Sequence, residues 1–139
     1  MLKQVEELGL GDRIRIESAG TAAYHVGERA DQRSRDFARR RGISLESRAR
    51  KIECDDFETQ DFILAMDKEN LSDLISLKGD SPYAGHLSLL RDFDPLAPLG
   101  AEVPDPYYGG DAGFEEILDL CDAACQGLIE TICADRKFE

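Results

Sequence analysis

The order of apolar and polar residues along the chain predicts strands and helices in alternation. Residues 13–17 alternate strictly between polar and apolar side chains, which is typical of a strand with one covered face. Residues 62–66 form a short unbroken apolar run, which favours a strand buried on both faces of a parallel sheet. A weaker third strand is predicted at residues 86–90. Helices are predicted at 1–8, 31–41, 68–77 and 113–134, with a short acidic helical turn at 54–57 and a long loop at 92–112.

Strands that alternate with helices indicate an α/β fold of three layers, a parallel sheet flanked by helices. Three strands are few for a sheet that contains a strand of the buried type. The first helix also begins at Met1 without a residue that could cap it. We therefore expect residues 1–139 to form a single domain that lacks an N-terminal part of its fold, the first strand included.

Composition narrows the range of functions. The chain is 42% hydrophobic and 33% charged, which is typical of a soluble globular domain. It has no apolar stretch near the ~18 residues of a membrane helix, so we expect a cytoplasmic protein with no membrane partner. A net charge of -12 argues against nucleic acid as a partner.

The charge is unevenly distributed. Residues 29–51 hold nine of the seventeen lysines and arginines. Residues 92–139 hold twelve acidic residues against Arg136 and Lys137. An anionic partner, if there is one, is therefore expected to approach the basic segment. The solvated face of one helix is the stronger explanation for its arginines at 33, 35, 39, 40 and 41.

The four cysteines, Cys54, Cys121, Cys125 and Cys133, show no C-x-x-C spacing, and the chain has only two histidines. The usual ligand pattern of a zinc site is therefore missing, and no metal is expected. Cys121 and Cys125 are four residues apart on a predicted helix, which favours packing in the core as free thiols.

Candidate chemistry follows the strands, because ligands of open α/β sheets bind at the carboxyl ends of the strands. Ser18 follows the first predicted strand, Asp67 follows the central one, and the long loop follows the third. In that loop two prolines flank Asp105, and Tyr107 and Tyr108 precede two glycines. The loop is either a turn with two half-buried tyrosines or a general acid beside an aromatic recognition surface.

The chain resembles the low-molecular-weight protein tyrosine phosphatases along its whole length. The most specific match is the Asp-Pro-Tyr-Tyr-Gly loop that begins at Asp105. The other matches are Ser18-Ala19-Gly20-Thr21 with Tyr24-His25-Val26-Gly27, the stretch from Arg39 to Ile43, Ser47-Arg48-Ala49-Arg50, Asp56-Phe57, and Ile63-Leu64-Ala65-Met66-Asp67 with Asn70-Leu71.

The resemblance implies a four-stranded parallel sheet and hydrolysis of phosphotyrosine through a cysteinyl-phosphate intermediate. It implies that Asp105 is the general acid and that Tyr107 and Tyr108 wall the substrate cleft. Tyr24 matches an aromatic position on the opposite wall, and Ser18 matches a serine that hydrogen-bonds the phosphate loop. The implied substrate is a phosphotyrosine protein or a small aryl phosphate, and no cofactor or metal is implied.

The chain departs from the family at the nucleophile. The family carries C-x5-R-S immediately after its first strand, where a thiolate attacks phosphorus and the arginine holds the phosphoryl oxygens. The residues six positions after the four cysteines are Gln60, Gly127, Thr131 and Glu139, so none of the cysteines begins such a motif. We therefore expect the 139 residues as written to be inactive.

Three interpretations remain open at this point. In the first, the protein is an active phosphatase and Met1 is an internal methionine. In the second, the chain is a non-catalytic relative that binds a partner through the Tyr107 and Tyr108 loop. In the third it is an arsenate reductase of the same fold, for which Cys121 and Cys125 are the candidate resolving pair.

Overall fold

The computed structural model describes residues 1–21, 27–104 and 110–135. The chain divides into two compact units, Ser18–Leu89 and Met1–Glu17 with Leu90–Glu139. In chain order the elements are α1 (Leu2–Glu7), α2 (Gln32–Arg40), α3 (Asp56–Thr59), β1 (Phe62–Ala65), α4 (Lys68–Lys78), β2 (His86–Leu89), a 3₁₀ helix (Leu90–Phe93) and α5 (Gly110–Ala134).

The unit Ser18–Leu89 contains a parallel sheet accompanied by helices. Strands β1 and β2 pair in parallel, with Phe62 opposite His86 and Ala65 opposite Leu89. Helix α4 connects the two strands and packs on both of them. The predicted α/β class, with a parallel sheet flanked by helices, is confirmed.

The core of this unit forms on one face of β1. Ile63 and Ala65 are buried, whereas the alternate residues Phe62 and Leu64 are only partly buried. The apolar run predicts a strand buried on both faces, whereas in the structure β1 is fully buried on one face and partly buried on the other. The buried cluster consists of Phe57, Ile63, Ala65, Leu74 and Leu89.

The predicted strand at residues 13–17 is wrong. The amides of Arg13 and Ile14 both donate to the carbonyl of Leu10 in a turn, and residues 14–19 belong to no strand or helix. Alternation makes a segment amphipathic, but only a neighbouring strand can accept its hydrogen bonds. Among the described residues no strand pairs with this segment.

The unit Met1–Glu17 with Leu90–Glu139 is helical in its described residues. The side-chain amide of Gln4 on α1 donates to the carbonyl and to the carboxylate of Asp122 on α5, at 3.0 and 2.9 Å. Val5 of α1 is 2% exposed, and Leu128 and Ile129 of α5 are buried as well. The helices predicted at 1–8 and 113–134 are confirmed, with α5 beginning at Gly110.

Gly127 allows α5 to lie directly against the 3₁₀ helix. A Cβ atom at this position would overlap the carbonyl oxygen of Phe93, which belongs to the backbone and cannot rotate away. We expect Gly127→Ala to lower the free energy of unfolding by about 2 kcal/mol, because an overpacked contact must separate the two helices. Urea unfolding followed by circular dichroism measures this change.

Gly11 provides the matched control, since a Cβ atom there meets nothing within 4 Å. We expect Gly11→Ala to change the free energy of unfolding by less than about 0.5 kcal/mol. Equal stability of the Gly127→Ala and Gly11→Ala proteins would show that the contact between α5 and Phe93 is not tight in solution.

Candidate functional site

Ser18, predicted to support the phosphate loop, lies within the described part of the chain, where it is exposed. Tyr24, Asp105, Tyr107 and Tyr108 lie outside the described residues, and their roles stay predictions.

Backbone hydrogen bonds fix the segment that carries Ser18. The amide of Gly20 donates to the carbonyl of Arg50 at 2.8 Å, and the amide of Ile52 donates to the carbonyl of Gly20 at 2.9 Å. These bonds form a parallel bridge between Gly20 and Lys51. Ser18 is therefore an exposed residue two positions before an anchored point of the backbone.

An ion pair fixes the other side of this bridge. The guanidinium of Arg50 donates to both carboxylate oxygens of Asp56, at 3.0 and 3.1 Å, and Asp56 also accepts the amide of Glu53 at 2.8 Å. Asp56 is 8% exposed. The two donated hydrogen bonds orient the side chain of Arg50, the residue whose carbonyl accepts the amide of Gly20.

Hydrogen bonding dominates the ionisation of Asp56. The bond from Arg50 lowers the pKa of this carboxyl, burial opposes the change, and the bond from the Glu53 amide adds to the lowering. A carboxylate that accepts several hydrogen bonds in its charged form is held in that form. Asp56 is thus an ionised structural anchor and not a proton donor.

Asp67 follows β1 as predicted, but its carboxylate has a structural task. Its Oδ1 atom accepts the amide of Asn70 at 2.7 Å, so Asp67 caps the first turn of α4. A capping carboxylate satisfies an amide that has no partner within the helix, and this bond directs the Asp67 side chain toward the start of α4. The contacts of Asp67 therefore do not support a role for it in ligand binding.

Two arginines that the sequence did not single out as a pair lie directly opposite each other. Arg29 and Arg48 form an isolated antiparallel bridge, and both are exposed. Arg48 donates one hydrogen bond, to the carbonyl of Gly27 at 2.9 Å. They are nineteen residues apart in the chain, so no periodicity could have paired them.

Cys121 and Cys125 are shielded from solvent to different degrees. Cys125 is buried, as its helical spacing predicted, and Cys121 is partly buried. Burial raises the pKa of Cys121 to about 11 and raises that of Cys125 as well. Thiolates are the reactive form in both displacement and disulfide exchange, so this pair is poorly suited to either task.

Thiol labelling distinguishes the buried cysteines from the exposed ones. At pH 8 a pKa of about 11 leaves only about one thousandth of Cys121 as thiolate, whereas Cys54 and Cys133 are exposed. We expect an Ellman reagent to modify two thiols rapidly in the folded chain and all four in denaturant. A Cys54→Ser, Cys133→Ser double variant should lose the rapid phase, and rapid labelling that persisted in it would contradict the burial of the other two.

Two further observations concern the described residues alone. No group of three or more His, Cys, Asp or Glu side chains in them is arranged to hold a metal ion. No helix in the same residues is both long enough and apolar enough to cross a membrane.

Comparison with known proteins identifies the family. The sequence profile of the family described as low molecular weight phosphotyrosine protein phosphatase matches residues 1–138. A low molecular weight protein-tyrosine-phosphatase of Streptomyces coelicolor is 38% identical over 130 residues, 93% of this chain and 79% of the relative. The human low molecular weight phosphotyrosine protein phosphatase is 35% identical over 129 residues, 92% of this chain and 80% of the relative.

A solved structure gives the same result. The crystal structure of a protein tyrosine phosphatase from Entamoeba histolytica superimposes with a TM-score of 0.86 at 34% identity, covering 94% of this chain and 83% of that protein. The chain belongs to the low molecular weight phosphotyrosine protein phosphatase family.

Proposed function

We propose that residues 1–139 carry the general acid and the aromatic walls of a phosphotyrosine phosphatase site. In this proposal Asp105 is the acid, Tyr107 and Tyr108 form one wall of the cleft, and Tyr24 lies on the other. The family match over residues 1–138 is the observation that carries it, because it includes all four positions. The substrate is a phosphotyrosine protein or a small aryl phosphate.

Each residue has a defined task in this reaction. A thiolate attacks phosphorus, and Asp105 donates its proton to the phenolate oxygen as the P–O bond breaks. Asp105 then accepts a proton from the water that hydrolyses the cysteinyl phosphate. Ser18 orients the phosphate loop through its hydroxyl. Support for this task comes from the exposed position of Ser18 beside the anchored Gly20.

The same proposal states that the 139 residues alone do not hydrolyse phosphotyrosine. No cysteine among them is followed by arginine at the sixth position. A phosphatase thiol needs a lowered pKa, and burial shifts the pKa values of Cys121 and Cys125 in the opposite direction. A general acid cannot compensate, since it accelerates only a reaction for which a nucleophile is in place.

Adding the missing nucleophile segment tests both parts of the proposal, the inactivity of the 139 residues alone and the presence of the acid and the aromatic walls in them. The assay compares the 139-residue chain, a variant with all four cysteines replaced by serine, and a chimera that carries a relative's strand and C-x5-R-S segment before Met1. We expect the first two to hydrolyse p-nitrophenyl phosphate equally slowly and the chimera to turn it over.

Two results would contradict the proposal. Hydrolysis by the 139-residue chain that disappears in the four-serine variant would make one of its own cysteines the nucleophile. A chimera that unfolds cooperatively but has no activity would show that the residues of this chain do not complete the site.

A further inference from the structure

The backbone holds Arg29 and Arg48 face to face on an exposed surface. The amide of Ala49 donates to the carbonyl of Glu28 at 2.7 Å, so the bridge is bonded through the neighbours of the two arginines. In an antiparallel pair of this kind the Cα atoms approach to about 4.5 Å, and the side chains leave the backbone on the same face. Chain pairing therefore starts the two arginine side chains from adjacent points of the backbone.

This juxtaposition is unfavourable without an anion. Like charges directly opposite each other destabilise a pair of strands. Among the described residues no carboxylate forms an ion pair with either arginine. The side chain of Arg48 donates to the Gly27 carbonyl, which leaves most of its five donors available.

The acidic residues close to the pair in the sequence are Glu28, Asp31 and Glu46. Glu46 accepts a hydrogen bond from the hydroxyl of Ser44 at 3.1 Å. Asp31 caps α2, and one of its carboxylate oxygens accepts the amides of Arg33 and Ser34. Glu28 is adjacent to Arg29 in the extended segment, and successive side chains of such a segment point to opposite faces. The two arginines are therefore exposed cations in a chain whose net charge is -12.

The position of the pair relates it to the substrate. Arg29 follows Tyr24 by five residues, a length of chain that spans at most ~18 Å. A bound extended peptide rises about 3.3 Å per residue. A substrate side chain up to about five residues from the phosphotyrosine can therefore lie as far from it as Arg29 lies from Tyr24. This step rests on the proposed function, in which Tyr24 lines the substrate cleft.

We propose that Arg29 and Arg48 form a clamp for an acidic side chain of the phosphotyrosine protein, a few residues away from the phosphotyrosine. The carboxylate would accept charge-assisted hydrogen bonds from both guanidinium groups and relieve their repulsion. The clamp selects substrates by the sequence around the phosphotyrosine and contributes nothing to the chemical step.

Binding to the 139-residue chain tests the clamp without catalysis. The probe is a fluorescein-labelled peptide with an unphosphorylated tyrosine and glutamates three to five residues after it, measured by fluorescence anisotropy at low salt. We expect Arg29→Gln and Arg48→Gln each to weaken binding about five-fold. A matched peptide with glutamines in place of glutamates should bind weakly and equally to all variants.

Arg15→Gln is the control for net charge. Arg15 is an exposed arginine whose guanidinium lies 3.7 Å from the carboxylate of Glu17. Its replacement removes the same charge and should leave the affinity unchanged. Equal loss of affinity in Arg15→Gln and Arg29→Gln would overturn the clamp, and so would wild-type affinity in both clamp variants.

Charge reversal provides an independent test. Arg29→Glu should bind a peptide with lysines at the glutamate positions more tightly than the wild type does, and no gain would count against the clamp. Removing a like-charge pair should not unfold the chain, and circular dichroism verifies this for each variant. Because the probe has no phosphate, its binding depends on the arginines and not on Asp105. A negative result in this assay overturns the clamp alone, and a negative result in the chimera assay overturns the proposed function.

Discussion

Asp105→Asn in the chimera that carries the C-x5-R-S segment should lower kcat for phosphotyrosine by about 10² to 10⁴. Tyrosine leaves as a phenolate whose conjugate acid has a pKa near 10, so the P–O bond breaks slowly unless a proton reaches the oxygen. Asparagine has nearly the shape of aspartate but no proton of the required acidity. The loss should therefore appear in the chemical step, whereas KM should change little.

The leaving group separates a general acid from a residue that merely shapes the loop. An aryl phosphate with an acidic phenol, such as dinitrophenyl phosphate, needs little protonation, so Asp105→Asn should cost much less on that substrate. Asp92→Asn is the matched control, because Asp92 is an exposed aspartate of the 3₁₀ helix. An equal loss on both substrates would assign Asp105 a structural role.

Local sequence patterns predicted the elements whose signals lie within one segment. The apolar run ending at Asp67 identified β1, and the same aspartate marked the start of α4, since an extended capping residue precedes the first helical turn. Alternation at residues 13–17 failed because pairing is a property of two segments, and the sequence of one cannot supply the other.

The same distinction explains which parts of the site could be predicted. The roles of the loop from Asp105 and of Ser18 could be predicted because their residues are contiguous and match a family, and these roles stay predictions. The ion pair between Arg50 and Asp56 lies in two matched stretches, but its geometry comes from the fold. Arg29 and Arg48 meet only because two short segments bridge. In the sequence they were only two of the nine basic residues of the segment 29–51.

Asp56→Asn should lower the free energy of unfolding at pH 7 by about 2 to 3 kcal/mol. Breaking a buried ion pair by removing one partner costs about 3 to 5 kcal/mol, because the remaining charge is left uncompensated. The Arg50 side chain is 39% exposed and can recover part of its hydration, which places the expected loss at or below the lower end of that range. Urea unfolding followed by circular dichroism suits a chain without tryptophan.

The pH dependence gives this prediction a sign. Arg50 lowers the pKa of Asp56 in the folded chain below its ordinary value of 3.8, so the unfolded chain binds the proton more readily. The stabilisation is complete above pH 3.8 and disappears as the pH falls through the folded pKa. The wild type and Asp56→Asn should therefore converge in stability in acid.

Asp55→Asn is the control, since Asp55 is exposed and its side chain makes no capping bond to α3. A stability difference between wild type and Asp56→Asn that persisted unchanged below pH 3 would mean that the charge of Asp56 is not what holds Arg50.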